Sequence, residues 1–375
     1  MIGGDGNARS IAIPQTASMD KNDASLDARN RGISLSALDR KRIGRINAEV
    51  RRAGAELRQR WPWLRHQNAL GVFALVGPLL GMVAAGWLYL AGALPAWACI
   101  VVSALFASII HEVEHDLIHS LYFPRHGGIR ALMMAVAWLA RPGTINPFLR
   151  KKLHLRHHKV SGNEEDLEER AITNGEPYGV KRLLMMADGT LAVLLRLDQA
   201  KGRPGKLIVF AALGYFPLGW IHYALLYTFL ASHGLALAGL EPLLSPAATA
   251  VVDAACVVWI LPHVLRSFCL NFISSSMHFY GDVQRGNVLQ QTQVLNAWFF
   301  APLQLFCFNF GSTHAIHHFV ASEPFYIRQL TASAGHRVMR ENGVRFNDLA
   351  TFLRDNRYTK ESAEVAPLRS YARNA

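Results

Sequence analysis

Three clusters of histidines have the spacing that places imidazole rings on one face of a helix. The clusters are His111-Glu112-Val113-Glu114-His115, with His119 one turn further along, His154-Leu155-Arg156-His157-His158, and His314-Ala315-Ile316-His317-His318. Residues three and four apart lie on the same helix face. Neutral imidazole is the commonest metal-ligand side chain and suits iron, zinc, copper or nickel. Together with His278, the clusters contain ten of the sixteen histidines, which predicts a site for more than one metal.

Two known metal-site patterns match only part of this set. His111-Glu112-x-x-His115 has the form of a zinc metalloprotease helix, but such a site needs one further protein ligand and leaves the other clusters without a role. Glu112-x-x-His115 also matches the ferritin-like di-iron element, which requires a second copy and two further glutamates. The sequence contains no second copy, so both patterns are disfavoured.

Long apolar runs predict helices that cross a membrane. The runs with little or no charge cover 69–90, 96–110, 207–232 and 247–276. Each is long enough, or nearly so, to span a bilayer, and the second leads directly into His111. His263 and Arg266 interrupt the last run, and a polar residue at that depth tends to be functional. We expect an all-α integral membrane protein with four transmembrane helices in two hairpins, and a shorter buried or interfacial helix over 297–310.

Basic residues are concentrated in the segments between the hairpins. There are 13 lysines and arginines in 1–68 and 15 in 120–206, and none in the turns 89–96 and 233–246. The positive-inside rule therefore places both termini and all histidine clusters in the cytoplasm, in a helical cap. The formal net charge of +12 fits an anionic membrane surface better than nucleic acid, given the apolar runs. The four cysteines lie in apolar stretches without paired spacing and are expected to be buried and unpaired.

The composition changes along the chain predict four segments. They are a disordered N-terminal segment at 1–35, a basic cytoplasmic or interfacial segment at 36–68, the membrane-embedded catalytic domain at 69–325, and a polar cytoplasmic tail at 326–375. The first segment is polar and aperiodic, and no signal-peptide core follows the start of the chain.

The order and form of the three clusters resemble the histidine boxes of the membrane fatty-acid desaturase and hydroxylase superfamily, over roughly residues 65–325. The boxes read His-x-x-x-His, His-x-x-His-His and His-x-x-His-His. The form of the first box is most similar to a bacterial subgroup with dihydrorhizobitoxine desaturase and fatty-acid decarboxylases that make terminal alkenes. The resemblance implies a bacterial inner-membrane enzyme with two iron ions that activates dioxygen and oxidises a fatty acyl chain.

The resemblance also implies which residues bind the irons. Carried over residue by residue, the ligands are His111, His115, His154, His157, His158, His278, His314, His317 and His318. His119 is expected to support the site, because about 40° of rotation accrues for each four-residue step from His111. Stearoyl-type members have an asparagine four residues before the equivalent of His278, and Ser274 stands at that position. With Ser274, the residues Glu112, Asp116 and Asp166 are expected to orient the ligands.

Oxidation of an unactivated chain needs a metal-bound oxidant held in a dry cavity. The spans are expected to provide it as an apolar tunnel, with Trp220, Tyr223 and Tyr227 as candidate lining residues. The sequence has no flavin, haem or iron–sulfur motif, so electrons are expected from a separate acidic carrier such as a ferredoxin with its reductase. Desaturation is the default outcome, with hydroxylation and oxidative decarboxylation to a terminal alkene left open. A non-catalytic metal-binding or metal-transport membrane protein is the alternative from another class, and it predicts ligands near the membrane midplane.

Overall fold

The computed structural model describes residues 35–200 and 204–359, and this part of the chain is helical throughout, with only two isolated β-bridges. The α-helices are Ala37–Arg60, Gln67–Leu90, Ala96–Ile118, Gly127–Leu139, Pro147–Val160, Leu167–Ala171, Val180–Ala187, Gly189–Leu194, Pro204–Tyr215, Leu218–Leu237, Pro246–Ala255, Leu261–Met277, Val288–Gln291, Ala301–Leu305, Phe310–Phe319, Phe325–Leu330 and Ala332–Glu341. Short 3₁₀ turns lie at Pro62–Arg65, Leu197–Ala200, Trp298–Phe300 and Leu349–Leu353, and a π turn lies at Cys256–Ile260. The predicted disordered segment 1–35 lies almost wholly outside the described residues.

The first predicted hairpin is present. Gln67–Leu90 and Ala96–Ile118, here called the first and second spans, are 24 and 23 residues long and apolar enough to cross a membrane. Pro95 caps the second span, which suits a residue without a backbone N–H. The two helices pack closely because glycines face large side chains: a Cβ on Gly81 would lie 2.4 Å from the ring of Phe106.

The second predicted hairpin is only partly as expected. Pro246–Met277, here called the final span, is a single 32-residue apolar helix that contains the π turn. The run predicted as one span over 207–232 instead forms two helices, Pro204–Tyr215 and Leu218–Leu237, bent by 99° at the break. Pro217 stands at that break and has no N–H to continue the first helix. The described residues thus contain three membrane-length helices, or four if this bent pair counts as one span.

The polar face of the molecule is a layer of shorter helices. Ile46 and Val50 of the basic helix Ala37–Arg60 share one hydrophobic cluster with Ile316 of the third box and with Met339. The helix Ala332–Glu341, which belongs to the predicted C-terminal tail, is therefore packed on the histidine region. The predicted helix over 297–310 is wrong, because Pro302 and the left-handed Phe308 and Asn309 divide this stretch into short pieces.

Candidate metal centre

The helices that carry the three boxes are fixed by local caps and by burial. The second-box helix, Pro147–Val160, has proline at its first position, and the side chain of Asn146 accepts a hydrogen bond from the N–H of Phe148. The first box occupies the C-terminal end of the second span. The third-box helix, Phe310–Phe319, is buried along its whole length. The imidazoles of the three helices therefore point into one interior space.

A first group of histidine rings forms where all three boxes meet. His119 Nε2 lies 3.0 Å from Nε2 of both His154 and His317. His158 Nε2 lies 3.2 Å from His154 Nε2 and 3.0 Å from His317 Nε2. The ring of His115 lies against the same group, with its centroid 4.3 Å from that of His317. We call these five residues group one.

A second group lies beside it and does not include the first box. His318 Nε2 is its centre, at 3.4 Å from His157 Nε2, 3.3 Å from His278 Nε2 and 3.2 Å from His314 Nε2. All four residues are buried. We call them group two. The rings of His158 and His318, one from each group, are 5.1 Å apart.

The spacing of the ring nitrogens fits metal coordination. Two nitrogens bound about 2.1 Å from one metal lie about 3.0 Å apart at a right angle and about 3.4 Å apart at the tetrahedral angle. The nitrogen pairs in the two groups are separated by 3.0 to 3.4 Å. Both groups also contain at least four ligand atoms within 4.8 Å of one another. Each group therefore has the donor type and spacing to hold a metal ion.

Two carboxylates and one backbone carbonyl contact the Nδ1 atoms of three of the rings. The Nδ1 of His157 lies 2.7 Å from Asp166, and the Nδ1 of His154 lies 2.9 Å from Glu168. Asp166 also caps the next helix by accepting from the N–H of Glu168. The Nδ1 of His278 lies 2.7 Å from the backbone carbonyl of Ser274, so Ser274 acts through its main chain. These contacts leave Nε2 facing the group, as in known metal sites.

His317 is oriented by a cation instead. Arg328 lies 2.7 Å from His317 Nδ1 and also donates to Glu112 at 2.9 Å and to Asp116 at 3.3 Å. A guanidinium only donates, so His317 accepts this bond at Nδ1 and its neutral ring carries the proton on Nε2; metal binding at Nε2 would release that proton. Tyr122 donates to Asp116 at 2.9 Å. Glu112 and Asp116, both predicted to support the site, thus reach it through Arg328.

Burial sets the protonation of the ligand rings. In five rings outside the spans, burial lowers the pKa well below the ordinary value of histidine. These rings are His154, His158, His314, His317 and His318. The neutral ring is the form that binds a metal. His157 differs: burial acts to lower its pKa, but the Asp166 carboxylate raises it to about 10. Metal binding at His157 would therefore release a proton.

The first box is shifted by one helical turn relative to the prediction. His111, assigned as a ligand, lies outside both groups, and His119, assigned a supporting role, lies within group one. His111 Nδ1 is 3.3 Å from Arg141, and its Nε2 has no hydrogen-bond partner among the described residues. The remaining predicted ligands are all brought together. Their binding to metal stays a prediction.

A cavity of about 750 Å³ reaches both groups. His115 and His154 of group one and His278 and His314 of group two line one part of it, and mainly apolar residues of 143–153, 167–196, the bent pair and the final span line the rest. Of the three aromatic residues proposed as lining, Tyr223 lines it, whereas Trp220 and Tyr227 do not. The size and apolar character suit a long-chain ligand.

Several buried charged residues near the groups were not assigned from the sequence. The fully buried ones are Glu114, Arg141, Arg266 and Arg328, and Arg150 and Glu168 are partly buried. Only Arg266 carried a signal in the sequence, since it interrupts a predicted span. The others lie in polar stretches where a buried charge and a solvated one look the same.

The comparison with protein-family models gives one match, to the model described as Fatty acid desaturase, over residues 91–350. The matched region starts at the turn of the first hairpin and includes all three boxes, His278 and Arg328. No individual curated protein matches the sequence.

Proposed function

Because the chain belongs to the fatty acid desaturase family, we propose that it is a membrane-bound, dioxygen-dependent oxidoreductase that holds two iron ions and oxidises a fatty acyl chain, with desaturation as the default outcome. The observation that carries the proposal is the convergence of two histidine groups on the wall of one apolar cavity. The family accounts for an oxidoreductase acting on acyl chains in a lipid environment. The metal, the oxidant and the product are our proposals.

We assign the ligands from the two groups. One iron is held by His115, His119, His154, His158 and His317, and the other by His157, His278, His314 and His318. This set replaces the predicted His111 with His119 and otherwise keeps the predicted ligands. Imidazole nitrogen suits iron, and nine rings exceed what one metal can use.

Iron bound at the two groups would supply the oxidising chemistry that removal of hydrogen from the acyl chain needs. The residues of the protein position the acyl chain and exclude water. The apolar cavity wall orients the acyl chain along the histidine groups and excludes water. Asp166, Glu168, the Ser274 carbonyl and Arg328 fix the ring orientations.

The partners follow from what the chain lacks in its sequence. No flavin, haem or iron–sulfur motif is present, so we propose a separate electron donor such as a ferredoxin with its reductase. The basic segments 1–68 and 120–206 could dock an acidic carrier. Their positive charge also supports an orientation with both termini and the histidine groups in the cytoplasm. The proposed bacterial inner-membrane location rests on the resemblance of the first box to a bacterial subgroup.

The orientation is tested with reporter fusions. Reporters at residue 92 and near residue 240 should be extracytoplasmic, and reporters at 170 and after 375 should be cytoplasmic, because only the latter segments are rich in lysine and arginine. A cytoplasmic reporter near 240 would show that the bent pair and the final span do not form a hairpin.

The function is tested by the products of cells that express the protein with a series of fatty acids. Chains with a new double bond, identified by mass spectrometry, are the expected result. Hydroxylated chains or terminal alkenes would correct the reaction but keep the site, which is shared by all three outcomes. An unchanged fatty-acid profile together with metal transport would favour the non-catalytic alternative. That alternative is weakened by the position of the ligands, which lie at and beyond the ends of the spans.

A further inference from the structure

Arg266 is a buried cation that has no carboxylate partner. It lies in the final span, is 1% exposed and lines the cavity. Its Nη2 donates to the hydroxyl of Ser267 at 2.9 Å, and Ser267 in turn lies 2.9 Å from His263 Nε2. Within residues 35–200 and 204–359, Nε and Nη1 of Arg266 have no hydrogen-bond partner. A buried charge without a partner is costly, so the unpaired nitrogens indicate a missing anion.

Two further arginines add to the positive charge at this place. Arg141 and Arg150 both pair with one carboxylate, Glu114; Arg150 lies 2.7 Å from it. Arg150 and Arg266 line the same cavity, and a Cβ on Gly143, two residues after Arg141, would lie 2.7 Å from the ring of His263, one turn before Arg266. Burial and then the charges of Arg266 and Arg150 lower the pKa of Arg141. Two of these three cations therefore pair with one carboxylate, and among the described residues no carboxylate is bonded to Arg266.

The other acidic groups on the cavity wall are already in use. Glu168 holds His154 Nδ1 at 2.9 Å, and Glu169 accepts from the hydroxyl of Ser161 at 2.9 Å. Neither carboxylate is bonded to Arg266.

We propose that Arg266, with Arg141 and Arg150 beside it, binds the carboxylate of an unesterified fatty acid inside the cavity. A guanidinium fork matches a carboxylate in geometry and charge, and the apolar remainder of the cavity accepts the chain. A thioester to a bulky carrier has no negative charge at this end. The proposal rests on the proposed function in one respect, that the cavity receives an acyl chain.

The position of the cluster also predicts which carbons meet the metal. Arg141 lies 3.3 Å from His111 Nδ1, and the ring of His111 is centred 6.5 Å from that of His115 in group one. A carboxylate held here places the first carbons of the chain nearest the histidine groups. His111, which has an unpaired Nε2, then lies between the carboxylate and group one and lines the substrate site.

The test is equilibrium binding to the iron-loaded protein in lipid nanodiscs, with hexadecanoate, its methyl ester and hexadecanol as probes. The wild-type protein should bind hexadecanoate at least about thirtyfold more tightly than either neutral probe, the expected effect of a buried charge pair. Arg266→Met should bind the three probes equally. Lys206→Gln, which removes an exposed cation from the same cavity wall, is the matched control and should keep the preference.

Thermal stability shows whether Arg266→Met has lost a ligand site or its fold. Removing an unpaired buried cation should leave the melting temperature of the ligand-free protein equal or higher, while the rise produced by hexadecanoate is lost. A lower melting temperature of the ligand-free variant would indicate a structural role and overturn the proposal. So would a variant that keeps its preference for the acid, or a wild-type protein stabilised by chloride or phosphate but not by hexadecanoate.

Iron content and dioxygen consumption of the same preparations separate this proposal from the proposed function. A wild-type protein with two irons and turnover, but no preference for the acid, overturns the carboxylate site alone. A wild-type protein that prefers the acid yet holds no iron and consumes no dioxygen overturns the proposed function alone.

Discussion

The two histidine groups differ in how they are enclosed. Group two is buried throughout and is held by a carboxylate at His157, a backbone carbonyl at His278 and the amide of Gln291, 3.3 Å from His318 Nδ1. In group one, His119 and His158 are partly exposed. Group two is therefore the more enclosed of the two groups, and group one is the one that solvent can reach.

The largest effect is expected from a change at the centre of group two. His318→Ala removes the ring that contacts the other three, so we expect no measurable activity and a fall from about two irons per chain to about one. Metal analysis of purified protein measures this. His336→Ala is the matched control: this buried ring bonds to the carbonyl of Ser312 on the same box helix but belongs to neither group, and it should keep both irons. An unchanged iron content in His318→Ala would remove group two as a metal site.

A smaller effect is expected from the cation beside group one. Arg328→Gln leaves the buried carboxylates of Glu112 and Asp116 without their cation, which costs about 3–5 kcal/mol of folding free energy. We expect a lower unfolding temperature and looser iron in group one only. Arg337→Gln, which breaks an exposed pair with Glu49, should cost no more than about 1 kcal/mol. Equal destabilisation by the two variants would contradict the role given to Arg328.

The smallest effects are expected from changes to the carboxylates that contact a ring of each group. Asp166→Asn keeps the helix cap, since asparagine caps as well as aspartate, but weakens the acceptor for His157. Iron in group two should then be lost to a chelator about 10–100-fold more readily. Glu168→Gln should have the same effect on group one through His154. If both variants release the same iron, the division into two groups is incorrect.

The difference between the groups also shows what the sequence could predict. The second and third boxes each contain a single His-x-x-His-His pattern. Every residue of group two was among the predicted ligands. The first box contains two overlapping pairs four residues apart, His111 with His115 and His115 with His119. Because both pairs have the same spacing, the sequence cannot show which turn faces the other boxes. Packing of the second span against the final span and the second-box helix decides it.

Two features of the fold were not predicted from the sequence, a bend at a proline and a set of long-range charge pairs. Apolar runs predicted the first hairpin and the final span, since these depend on local hydropathy. The 99° bend after Tyr215 depends on a local proline within an otherwise continuous apolar run, which resembles a straight span. The buried charges of Arg141 and Arg328 are paired with residues of the second span far away in sequence, and no local pattern indicates such a pairing.

Iron content of two first-box variants tests the central claim, that group one is built on His115 and His119. His119→Ala should hold about one iron per chain and lose activity, because two short nitrogen contacts of group one are removed. His111→Ala should keep about two irons, because its ring lies outside both groups. The reverse result, one iron in His111→Ala and two in His119→Ala, would contradict the account and restore the pair predicted from the sequence.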